Sequence, residues 1–141
     1  MRTLVWVGVV AVSVAASSCK GGGVDNAGEA DAVVSAEGWL ALVDGGKYSE
    51  SWDQAAGYFK GAVPSAAWQQ QVAGVRKPLG KVVSRKLKSK QSATSLPGAP
   101  DGHYVVIQYD TSFESKSAAV ETVTPMKDPD GKWRVSGYFI K

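Results

Sequence analysis

The chemistry open to this chain is bounded first by its scarcities. Its 141 residues hold one histidine, His103, and one cysteine, Cys19, too few ligands for a tetrahedral zinc site. Asp128, Asp130 and Gly131 have the opening spacing of a calcium loop, but Pro129 interrupts it and no distal glutamate follows, so the segment reads as a hairpin turn. A Ser-His-Asp arrangement would have to be built on His103, which opens a strand straight after a turn. More chemical reach lies in a carboxylate beside a tyrosine. Asp110, Glu121, Tyr109 and Tyr138 all fall in strand-patterned segments, where burial can push a carboxyl group toward neutrality and make it a general acid or base. Asp110 sits in the polar register of its strand, which aims it at solvent. No cofactor, metal or reaction motif is present, so a non-catalytic binding or interaction module is the first expectation.

Charge is distributed unevenly. Arg76, Lys77, Lys81, Arg85, Lys86, Lys88 and Lys90 place seven cations in fifteen residues with no acid among them. The earlier stretch is the reverse: Asp25, Glu29, Asp31, Glu37, Asp44, Glu50 and Asp53 are offset by Lys47. Such polarity suits contact with anionic lipid head groups or another acidic surface. The plainer account is lysines that blunt an exposed edge strand against pairing with other chains. Nucleic acid is not expected, because no aromatics interleave the cations and the formal net charge is only +3. Trp39, Trp52 and Trp68 fall on apolar helical faces as core anchors, and any of them lining a cavity would give it an apolar wall.

These residues must be positioned by one domain's worth of chain, 44% hydrophobic and 21% charged. Val33, Ala36, Leu40 and Val43 recur at helical spacing over about residues 27–43, and Gly45-Gly46 stops that helix. A second helix runs from Tyr48 through Trp52, Ala55, Ala56 and Phe59, with Ser51 and Gln54 at capping-box spacing. Ser65 caps a third, which turns Trp68, Val72 and Val75 inward and ends ahead of Pro78. The period then falls to 2. Residues 79–90 form a basic strand, and 94–102 a turn-rich loop. His103, Val105, Ile107, Tyr109, Thr111 and Phe113 share one face of the next strand. Residues 118–126 form a third strand. In the last, Trp133, Val135, Gly137 and Phe139 face one way, and Arg134, Ser136, Tyr138 and Ile140 the other. Short connections require antiparallel neighbours, so the expected fold is α+β, three N-terminal helices packed on a four-stranded antiparallel meander. That order resembles the cone-shaped, cystatin-like folds related to nuclear transport factor 2, which implies a pocket between curved sheet and helices.

The first eighteen residues read as a bacterial secretory signal: Arg2 is the charged start, and residues 4–16 are an apolar run too short to span a bilayer. Ala16-Ser17-Ser18-Cys19 resembles a lipoprotein signal, which implies a lipidated Cys19 as the first mature residue. The alternative is ordinary cleavage after Ala16 or Ser18, giving a soluble periplasmic or secreted protein with an unpaired thiol. Lys20 after the cysteine resembles the signal for outer-membrane delivery in a two-membrane host. Residues 19–27 then form a glycine-rich tether and 28–141 the domain. Partners are expected to be the membrane, through the lipid, and an envelope protein or small ligand.

Five stretches carry a family resemblance: Trp39-Leu40-Ala41-Leu42-Val43-Asp44, Ser51-Trp52, Arg76-Lys77-Pro78-Leu79-Gly80, Thr94-Ser95-Leu96-Pro97-Gly98 and Trp133-Arg134-Val135-Ser136-Gly137-Tyr138. Together they resemble the bacterial family catalogued as domain of unknown function 4019, over about residues 30–141. The resemblance implies an envelope-associated bacterial protein and carries over no activity, cofactor or catalytic residue. Two further expectations stand beside the binding module: a small-pocket enzyme using Asp110 or Glu121 with a tyrosine, and a structural or stress-related envelope component.

Overall fold

The computed structural model describes residues 26–141. The signal segment, Cys19 and residues 20–25 of the tether lie outside the described residues. Among the described residues four helices precede four strands: α1 (Asn26–Asp44), α2 (Tyr48–Asp53), α3 (Gly57–Ala62), α4 (Ser65–Leu79), β1 (Val82–Ala93), β2 (Tyr104–Phe113), β3 (Lys116–Lys127) and β4 (Trp133–Ile140). The strands form one antiparallel sheet in the order β1-β2-β3-β4. The domain is α+β, with four helices where three were expected. Among the described residues no helix is long and apolar enough to cross a membrane.

α1 buries Ala32, Ala36, Trp39, Leu40 and Val43, a stripe at helical spacing. Gly46 stops it with a left-handed φ of 76°, while the Gly46 and Lys47 N–H groups bond back to the Val43 and Leu42 carbonyls. The expected second helix is broken in two at Ala56, whose backbone is extended (φ −61°, ψ 150°). There the Ala56 N–H leaves the helical ladder and donates to the Val135 carbonyl of β4 at 2.8 Å. A tertiary bond has overridden local periodicity. Neither expected serine cap forms. Lys47 and Pro64 occupy the cap positions of α2 and α4 without side-chain caps. Ser51 is fully buried inside α2, where its carbonyl accepts the Trp39 indole N–H at 2.8 Å and its hydroxyl the Trp68 indole N–H at 2.9 Å. α4 runs through Pro78 to Leu79, because Leu79 is buried and the Gly80 N–H closes the last turn onto Arg76 and Lys77.

The helices cover one face of the sheet. Trp39 lies edge-on to Tyr138 (ring centroids 5.2 Å) and 5.7 Å from Trp68, which meets Phe59 edge-on at 5.0 Å. Val105, Ile107, Tyr109, Thr111 and Phe113 of β2 are buried as their alternation predicts. His103 is exposed and precedes the strand. β4 departs from simple alternation. Thr124 pairs with Gly137 but Pro125 with Val135, leaving Ser136 as an extra residue, its hydroxyl bonded to the Thr124 carbonyl at 2.7 Å. The core therefore takes Val135, then Tyr138 and Ile140, rather than one uniform set. The same bulge accommodates Pro125 in an interior strand. At one end of the sheet a smaller cluster joins Leu96 of the long loop to Ala56, Tyr104 and Met126.

Gly80 carries φ 77° and ψ −159°, a region open essentially to glycine, and an added Cβ would lie 3.0 Å from the Glu114 Cβ. Gly98 has φ 76° but open space around it. Gly98→Ala is expected to cost about 1 kcal/mol, and Gly80→Ala about 2–3 kcal/mol from the same strain plus the clash. Urea unfolding of both variants reads the difference.

Candidate functional site

Glu121 stands mid-strand on β3, with Tyr109 of β2 and Ile140 of β4 as register neighbours, in the inward register between Ala119 and Val123. Its carboxylate is fully buried, so its charge must be met inside the protein. Oε1 accepts from Arg85 Nε at 2.7 Å and from the Thr111 hydroxyl at 2.6 Å, and Oε2 accepts from the Tyr138 hydroxyl. Arg85 reaches inward from β1, because the register shift at Val82/Ser84 sets it on the same face as Val82. Its two other nitrogens donate to Asp44 Oδ2 and Oδ1 at 2.7 and 3.0 Å. Asp44, the last residue of α1, also takes Arg76 Nη2 of α4 at 2.7 Å, and the Arg76 guanidinium lies 5.0 Å from the Phe113 ring centre. One chain of charge, Arg76–Asp44–Arg85–Glu121, thus runs from the helices to the centre of the sheet.

Burial works against the Asp44 charge, but the hydrogen bonds and charges of Arg85 and Arg76 outweigh it and hold the carboxyl below its ordinary value. Burial likewise opposes the Arg85 cation, and Asp44 with Glu121 more than restores it. Tyr138 is pushed well above a free phenol by burial and then by the negative Glu121. Tyr109 is pushed up to about 12, first by burial and then by the Glu37 charge. The Tyr109 hydroxyl and Arg76 Nε and Nη1 are buried with no hydrogen-bond partner among the described residues.

The structure brings Glu121, Tyr138 and Tyr109 to one place and keeps Asp110 and His103 away from it. Asp110 is exposed, 3.8 Å from Lys88. Of the seven clustered cations, Arg76 and Arg85 turn inward, while Lys77, Lys81, Lys86, Lys88 and Lys90 stay exposed. Sequence reasoning missed Asp44 and Thr111 as partners of this site. The available signals were an acid in the apolar register of β3 and a threonine in that of β2. Among the described residues no three His, Cys, Asp or Glu side chains converge on a possible metal position.

A separate groove of about 480 Å³ opens between α1, α2 and the start of β4, within the usual range for ligand sites. Trp39, Leu42, Val34 and Trp133 give it apolar walls, and Glu50, Gln54, Lys132 and Arg134 a polar margin. Small residues on α1 leave the space: a Cβ on Gly38 would touch nothing within 4 Å, and Ser35 folds its hydroxyl onto the Trp133 carbonyl at 2.7 Å. Arg134 is held by Asp128 and Asp130 at 2.8 Å each. Its hydrogen bond and the Lys132 N–H draw the Asp130 carboxyl down to about 2.

The model of the family described as Protein of unknown function (DUF4019) matches residues 35–138, a span holding Asp44, Arg76, Arg85, Glu121, Tyr138 and the groove walls apart from Val34. No curated protein and no solved structure matches the chain.

Glu121→Gln leaves Arg85 short of a buried counter-charge and is expected to cost about 3–5 kcal/mol, read as a lowered urea midpoint. Asp44 has a folded value below its ordinary 3.8, so its contribution is complete above that pH and is lost as pH falls through the lower folded value. Asp44→Asn is therefore expected to destabilise the protein at pH 7, with the difference from wild type shrinking as pH falls below 3.8. A constant difference across a urea-midpoint series from pH 7 to 2 would contradict the ion-pair assignment.

Proposed function

The chain belongs to the DUF4019 family, and from that premise we propose an exported, lipid-anchored envelope domain that binds a small ligand or protein segment in the α1–α2–β4 groove without transforming it. The groove carries this reading: it is open and lined about equally by apolar and polar surface, with Trp39 and Trp133 in its walls and charged and amide side chains at its rim. Its wall is stiff, since the Trp39 indole is tied to the Ser51 carbonyl. The buried carboxylate supports binding over chemistry, because the Glu121 oxygens are already taken by Arg85, Thr111 and Tyr138. The address rests on Arg2, the apolar run and the small residues before Cys19. The order of helices then meander supports the likeness to cone-shaped folds; the space between helices and sheet is filled by Trp39, Trp68 and Phe59.

A second reading, acid-base chemistry by Glu121 with Tyr138, draws on their direct hydrogen bond. It requires a substrate to pass Trp39, which lines the groove and packs edge-on against Tyr138.

Native mass spectrometry on the protein extracted from its host's membranes tests the proposal. The expected species is an acylated chain beginning at Cys19 with a reproducible non-covalent added mass. Gly38→Leu, which projects into open space, is expected to stay folded and lose that mass. A bare wild-type chain would count for a structural role, and recovery only from the soluble fraction would refute the anchor.

A further inference from the structure

Once Arg76 and Arg85 are committed to Asp44 and Glu121, the basic run is left with five exposed lysines, three of them on β1: Lys86, Lys88 and Lys90. β1 is an edge strand, paired only with β2. It also holds two of the three exposed large hydrophobics among the described residues, Val83 (67% exposed) and Leu87 (47%). Lysines along an edge repel the same edge of a second copy. Their counter-charges are weak: Lys88 lies 3.8 Å from Asp110 and Lys90 3.7 Å from Glu29, long contacts at the surface, and Lys86, opposite Asp110 in the strand register, makes no ion pair among the described residues.

Position adds a second argument. Glu29, in the first turn of α1, accepts the Ser92 hydroxyl at 2.7 Å and faces Lys90. The last third of β1 therefore lies where the chain arrives from Cys19. Only residues 20–25 intervene between Cys19 and α1, a reach of at most about 25 Å. Lys86 lies about 13 Å along the strand from Lys90. The exposed acids Asp31, Glu37, Glu50 and Asp53 lie on α1 and α2, and an anionic surface would repel them.

We infer that the edge of β1, through Lys86, Lys88 and Lys90 with Leu87 among them, rests on an anionic phospholipid surface and sets which way the domain faces. This deepens the lipid-anchored reading and rests on it for the domain's distance from the bilayer. It turns the β4 side, with its groove, away from the lipid, since β4 lies three strands from β1.

The full mature chain is bound to vesicles of phosphatidylcholine alone or mixed with phosphatidylglycerol, and its lysines are labelled with a water-soluble acylating reagent mapped by mass. Lys86, Lys88 and Lys90 are expected to react about tenfold more slowly on the anionic vesicles, with Lys47 and Lys60 unchanged and the protection gone at about 1 M salt. Replacing the three with glutamate (Lys86→Glu, Lys88→Glu, Lys90→Glu) is expected to abolish the orientation and leave vesicle binding through the acyl chains intact. Equal labelling on both vesicle types, with the chain bound to both, overturns the lipid-facing edge and leaves the anchor standing. Failure to bind phosphatidylcholine vesicles overturns the anchor, while protection in the anionic arm still upholds the edge. Protection by polyglutamate but not by anionic vesicles overturns the inference in favour of an acidic polypeptide partner.

Discussion

A carboxylate with no access to water costs several kcal/mol unless it is neutralised and hydrogen-bonded, and Glu121 imposes that constraint at the centre of this sheet. Arg85 of β1 supplies the cation, Thr111 of β2 and Tyr138 of β4 supply donors, and Asp44 and Arg76 extend the pairing into α1 and α4. One buried charge therefore ties two helices to all four strands. Apolar contact explains why the helices cover the sheet. The ion chain explains where along it they sit, because sliding α1 by a turn would take Asp44 from both arginines and leave Arg76 and Arg85 with Glu121 as their one carboxylate. A second clamp at the other end of α1, Glu29 to Ser92, holds the same alignment.

Much of this architecture was legible in the chain. β2 alternates from Val105 to Phe113 and buries that face as its pattern says, though His103 lies exposed ahead of it and Tyr104 is buried too, and the short connections dictated the meander. What escaped had a common cause, long-range bonds and bulges that local periodicity does not encode. The second helix breaks because the Ala56 N–H has a better acceptor in β4. The faces of β4 exchange at Ser136 because one extra residue is accommodated there. Arg85 looked like one more surface cation because the bulge at Val82/Ser84 that turns it inward leaves no mark in the charge pattern. Glu121 was visible as an acid, but its partners come from residues 10 to 36 positions away.

The groove and the ion chain are two sides of one wall. Trp39 lines the groove with part of its ring and meets Tyr138 edge-on. Its indole N–H is fixed to Ser51, which the Trp68 indole also holds. A wall so tied is set before anything enters the groove, and pre-formed walls reduce the ordering cost of binding. Gly38 and Ser35 set the depth of the groove, and neither could be recognised for that role until α2 and β4 were seen on either side of α1.

β4 follows every other described element in chain order. β4 supplies Val135, Tyr138 and Ile140 to the core and the carbonyl that stops the second helix, and Lys141 just after it exchanges backbone bonds with Val120. A growing chain emerges N-terminus first, at about 5–20 residues per second. All four helices are therefore exposed before the strand that seats Trp39 has been made. Until β4 is made, Trp39 lacks its edge-on partner Tyr138 and the Ala56 N–H lacks its acceptor, so the packing of helices on sheet is completed by the element that forms last.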